Sequence, residues 1–267
     1  MSPRSKNRFQ SYVICTTPRS GSTLLCRMLA GTRLVGHPDS HFHAPSLRRW
    51  LAVYGLGEVD FSNRAEALHA VRRAALDKGR EGGEIFGLRL QRGSFDYLMR
   101  QLAVLYPDAA TQADRIRMAF GECLFVHLSR NNKLEQAVSR VLAEQTGLWH
   151  RAADGSELER LGPPQPPRFD AEAIAHHLSE LRDMDRAWRA WFDEQKLDVL
   201  QISYEDLSAD PRRAAARFFR AMGFEQTASI RLEVPTARLS NSINKSWVQR
   251  FQASRAGTGI YSVPRKT

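Results

Sequence analysis

What this sequence lacks narrows it first. No apolar run approaches the roughly 20 residues a helix needs to cross a bilayer, and the basic first ten residues hold no apolar stretch of the kind a secretory leader carries. A soluble, cytoplasmic protein with no membrane span is the expectation. Cysteine is sparse: Cys15, Cys26 and Cys123 are odd in number, form no Cys-x-x-Cys pair and stand in no Cys/His cluster. Reduced thiols in core elements are expected, with neither a disulfide framework nor a metal site. Lysine is scarce for so basic a chain. Six of the 39 Lys and Arg residues are lysine, and against 29 acidic side chains the formal net charge is +10. Arginine's planar fork suits phosphate and sulfate, although a genome rich in arginine codons would give the same composition. The arginines are dispersed and no nucleic-acid module accompanies them, so no nucleic-acid partner is expected. Internal repeats and a dividing linker are missing as well. The chain reads as a single domain, 1–267, with a core over about 11–223 and an irregular segment, 225–267, completing its site.

Residues 11–30 stand out. Tyr12, Val13, Ile14 and Cys15 form an apolar, β-favouring run of the kind buried in a parallel sheet. Thr16-Thr17-Pro18-Arg19-Ser20-Gly21-Ser22-Thr23 follows, with no apolar side chain apart from the proline. Leu24, Leu25, Met28 and Leu29 then recur at helical spacing, which predicts a helix from about Ser22. A strand feeding a helix through a turn of small hydroxyl residues and glycine offers backbone N–H groups and a helix dipole to an anion. Ser20, Ser22 and Thr23 add hydroxyls and Arg19 a positive fork, so phosphate is the expected guest. The loop of nucleotide triphosphatases reads G-x-x-x-x-G-K-[ST]. Here no Gly opens the loop and no Lys precedes the Ser or Thr, which removes the main support for Mg²⁺-ATP.

Further along, a short strand is read at 33–35, a helix at 47–54, and a capping box at Asn63 and Glu66 for a helix to about Lys78. A strand follows at 84–90, then a helix capped by Ser94 that stops at Pro107. Residues 123–129 form a second core strand, with a helix from about Lys133 to Gln145 after it. Residues 151–168 end in Gly162-Pro163-Pro164-Gln165-Pro166-Pro167 and read as an exposed loop. A long amphipathic helix over about 170–195, a strand at 199–203 and a helix from Pro211 to near Gly223 complete the core, with a helical turn near 247–251. Alternating strands and helices predict an α/β fold with a central parallel sheet flanked by helices. Ligands of such sheets bind beyond the carboxyl ends of the strands, so the loops after 11–15, 123–129 and 199–203 are expected on one rim.

The loop Arg19-Ser20-Gly21-Ser22-Thr23-Leu24-Leu25 resembles the 5′-phosphosulfate loop of sulfotransferases, in the arginine form of the bacterial trehalose 2-sulfotransferase family. These enzymes use 3′-phosphoadenosine 5′-phosphosulfate (PAPS) and release 3′-phosphoadenosine 5′-phosphate (PAP). The resemblance continues in Ser129-Arg130-Asn131-Asn132-Lys133 and in Ser139, which match the family's arginine and serine for the 3′-phosphate. It extends through Gln145-Thr146-Gly147-Leu148-Trp149, Ile174-Ala175-His176, Trp188-Arg189-Ala190-Trp191-Phe192 and Trp247-Val248-Gln249-Arg250-Phe251. Tyr204-Glu205-Asp206-Leu207 with Asp210-Pro211 is similar to a segment of the wider superfamily whose tyrosine lies by the adenine. The resemblance implies a P-loop-like sulfotransferase fold, cofactor contacts from Arg19 through Leu24 and from Arg130, Ser139 and Tyr204, no metal, and a carbohydrate or glycolipid hydroxyl as acceptor. It leaves room for a homodimer. Trp188, Trp191 and Phe192 read better as a helix's core face, and Trp149 equally well as a core residue or a stacking platform for sugar or adenine.

One departure matters. The family reads G-x-P-x-E-[FY]-F, its glutamate serving as base, whereas this chain has Gly36-His37-Pro38-Asp39-Ser40-His41-Phe42. Serine cannot deprotonate a sugar hydroxyl unaided. His41, then Asp39, is the expected base, with Arg19 stabilising the charge that develops on the leaving group. The function implied is sulfuryl transfer from PAPS to a carbohydrate or glycolipid hydroxyl. The alternatives are a catalytically silent PAP- or PAPS-binding relative and, ranked lower, an ATP- or GTP-dependent phosphotransferase.

Overall fold

The computed structural model describes residues 8–57, 60–151, 154, 156–227, 230–234 and 242–256. The chain divides into two compact units, Met1–Ser129 with Met184–Val234 and Arg130–Asp183 with Pro235–Thr267. The first holds strands β1 (Ser11–Thr16), β2 (Phe86–Gln91), β3 (Cys123–Ser129) and β6 (Val199–Ser203), all parallel, in the order β2-β1-β3-β6. The fold is α/β, as the sequence predicts.

Alternation along the strands builds two cores. Val13 and Cys15 of β1, Phe86, Leu88 and Leu90 of β2, and Phe125 of β3 face one side. There they meet helices α2 (Leu47–Val53), α3 (Arg64–Arg80), α4 (Arg92–Leu105) and α5 (Gln112–Phe120), with Trp188, Trp191 and Phe192 from the end of α7 (Ala171–Glu194). Tyr12, Ile14, Leu124, Val126 and Leu128 face the other side, against α1 (Ser22–Gly31), Leu207 of α8 (Tyr204–Ala209) and Phe218 and Phe219 of α9 (Pro211–Ala221). Strands buried on both faces read as unbroken apolar runs, which is why β1 and β3 are legible from sequence. The three Trp and Phe residues of α7 belong to the core, Trp188 fully buried.

The second unit contains α6 (Lys133–Thr146), strands β4 (Leu148–Arg151) and β5 (Glu157–Arg160), most of α7, and α10 (Ser242–Ala256). Ala137, Val138 and Val141 of α6, Ile174, Leu178 and Leu181 of α7, and Trp247 and Phe251 of α10 form its core.

Several expectations change. Residues 33–35 form no strand: Arg33 turns the chain in a left-handed conformation, φ 57°. Ser94 does not cap α4, which starts at Arg92 after Gln91; it is buried in the first turn and donates to the His43 carbonyl. Part of 151–168 pairs as the antiparallel ribbon β4–β5, and the turn read near 247–251 lies inside the 15-residue α10. Helices α5 and α8 have no counterpart among the elements expected from sequence.

Candidate active site

The rim is set by register. Thr16 pairs with Gln91 and with Leu128, and Ser129 with Ser203, so the carboxyl ends of the four strands finish level. The loop from β1 to α1 therefore leaves the sheet beside the ends of β2 and β3.

Within that loop two residues take left-handed backbone conformations, Arg19 at φ 63° and Gly21 at φ 85°. For arginine this is uncommon and costly, and the surrounding bonds hold it. The Thr16 hydroxyl donates to the Leu128 carbonyl at 2.8 Å, and the fully buried Ser20 Oγ lies 2.5 Å from Thr16 Oγ1. With Thr16's one proton on Leu128, Ser20 donates to Thr16. The Ser20 hydroxyl thus points into the protein. From below, the Trp188 indole donates to the Thr16 carbonyl at 2.9 Å. Gly21 is required twice over, by its φ and because a Cβ there would lie 2.7 Å from the Tyr204 ring. That contact places Tyr204, the first residue of α8, directly on the loop.

Helix α1 begins without a side-chain cap and without an acidic residue in its first turn. By contrast, α2, α3, α5, α6, α8 and α9 are each capped by a Ser, Asn, Thr or Asp side chain. A ten-residue helix with that start presents its dipole and first-turn amides to an anion. Ser22 is buried in the first turn, and Leu24 packs against the α1-side core, leaving its amide as its polar contribution.

Residues 36–45 come next. Gly36, at φ 71°, lies so close to the end of α3 that a Cβ would sit 2.4 Å from the Gly79 carbonyl and 2.3 Å from that of Ile85. The loop then bridges to β2: Asp39 pairs with Leu88, and the Arg89 N–H donates to the Asp39 carbonyl at 2.9 Å. His41 turns inward. It is 5% exposed and tilted over Phe86, with Nε2 3.4 Å from the His37 carbonyl and Nδ1 3.4 Å from the Tyr54 hydroxyl. Burial pushes its pKa down to about 4, against the pull of Asp39. Its position in the core, not its protonation state, argues against the base role expected for it. Asp39 keeps half its side chain exposed. Burial alone would raise its carboxyl, but the Ser40 N–H, the Arg89 guanidinium and the nearby His41 and His37 outweigh that and hold it below the usual value.

Arg89 is the residue that sequence reasoning missed. Its side chain, 19% exposed, donates from Nε to Ser40 Oγ at 2.8 Å, from Nη1 to Thr23 Oγ1 at 2.9 Å and from Nη2 to Asp39 Oδ1 at 3.2 Å. A lone arginine in an otherwise apolar strand, Phe86-Gly87-Leu88-Arg89-Leu90, was the available signal.

In the second unit Arg130 is 7% exposed and bonds Glu135 through Nη2 at 2.7 Å, with Ser139 one turn further along α6. Asn132 caps that helix by accepting from the Glu135 N–H. Trp149 lies half-buried on β4. Among the described residues one group has metal-ligand spacing, His176, His177 and Glu180. His177 lies 2.8 Å from Glu144 and 3.3 Å from Glu180, and Arg140 bonds both carboxylates, which makes a closed ion network between α6 and α7.

The family model described as Stf0 sulphotransferase matches residues 11–254. A trehalose 2-sulfotransferase of Mycobacterium tuberculosis is 30% identical over 93% of this chain and 97% of its own length. Another from Mycolicibacterium smegmatis is 25% identical over 94% and 97%. A sulfotransferase domain of the Synechococcus PCC 7002 olefin synthase aligns along 99% of both chains at 17% identity and a TM-score of 0.42, too loose a likeness to inform the site. With nearly its whole length matched, and with the strand, loop and helix that open the match built as described above, this chain belongs to the Stf0 sulphotransferase family and is a sulfotransferase.

Proposed function

We propose that this protein transfers the sulfuryl group of PAPS to a hydroxyl of a carbohydrate, free or as the headgroup of a glycolipid, within the cytoplasm. The observation that carries this reading is the loop 16–23, where left-handed Arg19 and Gly21 lead into a helix that no side chain caps. Its chemistry suits an oxyanion and fits the phosphosulfate end of the donor. When bound, the donor supplies the sulfuryl group and a phosphate leaving group. Such transfers pass through a loose transition state with charge building on the leaving oxygen. Arg19 and the amides of residues 20–24 stabilise that charge, with the Ser22 and Thr23 hydroxyls beside them, and Tyr204 packs by the adenine. Arg130 and Ser139 take the 3′-phosphate, in a charge-assisted pairing. Helix dipole and arginines supply positive charge, so the mechanism requires no metal ion. In this reading the whole chain acts as one sulfotransferase domain.

Asp39, not His41, serves as base in this reading, because its carboxylate is half-exposed and ionised at neutral pH whereas His41 is buried. A carboxylate of depressed pKa is a weak base, and a loose transition state asks little of one.

The test is incubation with PAPS and a panel that starts from trehalose, the acceptor named for the mycobacterial relatives, and extends to glycolipids. Sulfated product and PAP are expected. Arg19→Ala should lower turnover by about a hundredfold or more, the usual cost of one transition-state donor, and Asp39→Asn should lose turnover while still binding PAP. Ser40 in the family's glutamate position favours one second reading, a silent nucleotide-binding relative. PAP binding without transfer to any acceptor would select it, and Mg²⁺-dependent use of ATP would contradict both.

A further inference from the structure

We propose that Arg89 is a positioning residue for the transfer, fixing the acceptor-side loop at Asp39 and Ser40 to the donor-side loop at Thr23. The inference rests on the function proposed above. One guanidinium reaches three side chains from three nitrogens: Ser40 Oγ at 2.8 Å, Thr23 Oγ1 at 2.9 Å and Asp39 Oδ1 at 3.2 Å. Ser40 and Asp39 belong to the segment where the base is expected, and Thr23 to the first turn of the helix that faces the donor. Arg89 itself stands on β2, level with Ile14 of β1, and its backbone also holds the Asp39 carbonyl. The fork therefore sets the distance between carboxylate and phosphate cradle from a rigid sheet. In-line transfer needs that distance held, and a displacement of about 1 Å can cost about a hundredfold in rate. The serine at position 40 fits this arrangement, being short enough for its hydroxyl to receive Nε while Nη2 stays on Asp39. Lysine would keep the charge and lose the planar fork.

The experiment compares wild type with Arg89→Lys and Arg89→Gln, each checked for fold by circular dichroism. Expected are folded variants with kcat down by about a hundredfold and the KM for PAPS changed far less. The groups facing the Asp39 carboxylate are Arg89, the Ser40 N–H, His41 and His37, and His37 in turn pairs with Glu81. Removing the cation in Arg89→Gln should shift the acid limb of the pH–rate profile upwards, which a general loosening of the fold would not do. Wild-type kcat in Arg89→Gln, or a loss equal at every pH, would overturn the proposal. A second readout needs no turnover: PAP should perturb the Ser40 amide resonance in wild type and leave it unmoved in Arg89→Gln. An unresponsive Ser40 in wild type that binds PAP would overturn the coupling, whereas a responsive Ser40 with no transfer would support it and count against the proposed reaction alone.

Discussion

At the scale of single residues, environment decides role more than side-chain identity does. His41 and Asp39 are two positions apart, and the sequence offers both as bases. The structure buries the histidine over Phe86 and leaves the aspartate beside Arg89. His41 then matters to stability. Its folded pKa of about 4 lies below the ordinary 6.5, so between those values the unfolded chain binds the extra proton and folding stability falls as pH falls. The loss is on the order of 3 kcal/mol and is complete once pH drops below the folded value. Urea denaturation at pH 7 and at pH 4.5 should show most of it, and His41→Leu should flatten the dependence over that interval. A variant with the wild-type slope would place the acid sensitivity elsewhere. The same residue-scale logic makes the buried thiols poor nucleophiles, since burial pushes Cys26 up to about 11 and Cys123 up to about 12.

At the scale of elements, the site is a strand, a turn and a helix whose geometry is held from beneath. Thr16, Ser20 and the Leu128 carbonyl form one chain of hydrogen bonds, and Trp188 secures the Thr16 carbonyl from the opposite core. Ser20 supports the loop through its buried hydroxyl, which in the proposed mechanism does not contact the donor. Ser20→Ala should cost about 1 kcal/mol of stability, as the loss of one buried hydrogen bond does, and should weaken PAP binding far less than Arg19→Ala. Calorimetric titration of the two variants, with a thermal melt of each, measures both effects, and equal losses of affinity would assign the Ser20 hydroxyl to the ligand. The elements themselves were legible in proportion to their pattern. Strands β1 and β3 are buried at every residue, and Asn63 caps α3 by accepting from the Glu66 N–H as its spacing suggests. The ribbon β4–β5 is short and polar, with alternate residues exposed along β5, so it carries no apolar period to read. Ser94 resembled a cap by residue type alone, because the helix start depended on where β2 ended.

At the scale of the whole molecule, the family and the alternation of strands with helices follow from a few separated motifs, but the links between them do not. Arg89 shows why: its three partners are 66, 50 and 49 residues away, and nothing local marks the pairing. Parallel order β2-β1-β3-β6 brings Thr16, Gln91, Ser129 and Ser203 to one rim, and that is a consequence of register, which sequence periodicity leaves open. No helix among the described residues is long and apolar enough to cross a membrane. Of the many arginines behind the positive charge, three carry the proposed chemistry: Arg19, Arg89 and Arg130.

The most direct test of the central claim, that two separate arginine-bearing turns grip two anions of one nucleotide, is calorimetric titration with PAP and with adenosine 5′-phosphate, which lacks the 3′-phosphate. Wild type should bind PAP more tightly by tenfold or more, each tenfold corresponding to about 1.4 kcal/mol. Arg130→Ala should abolish that preference, while Arg19→Ala should weaken both ligands. Equal affinity for the two nucleotides in wild type, or an unchanged preference in Arg130→Ala, would contradict the claim.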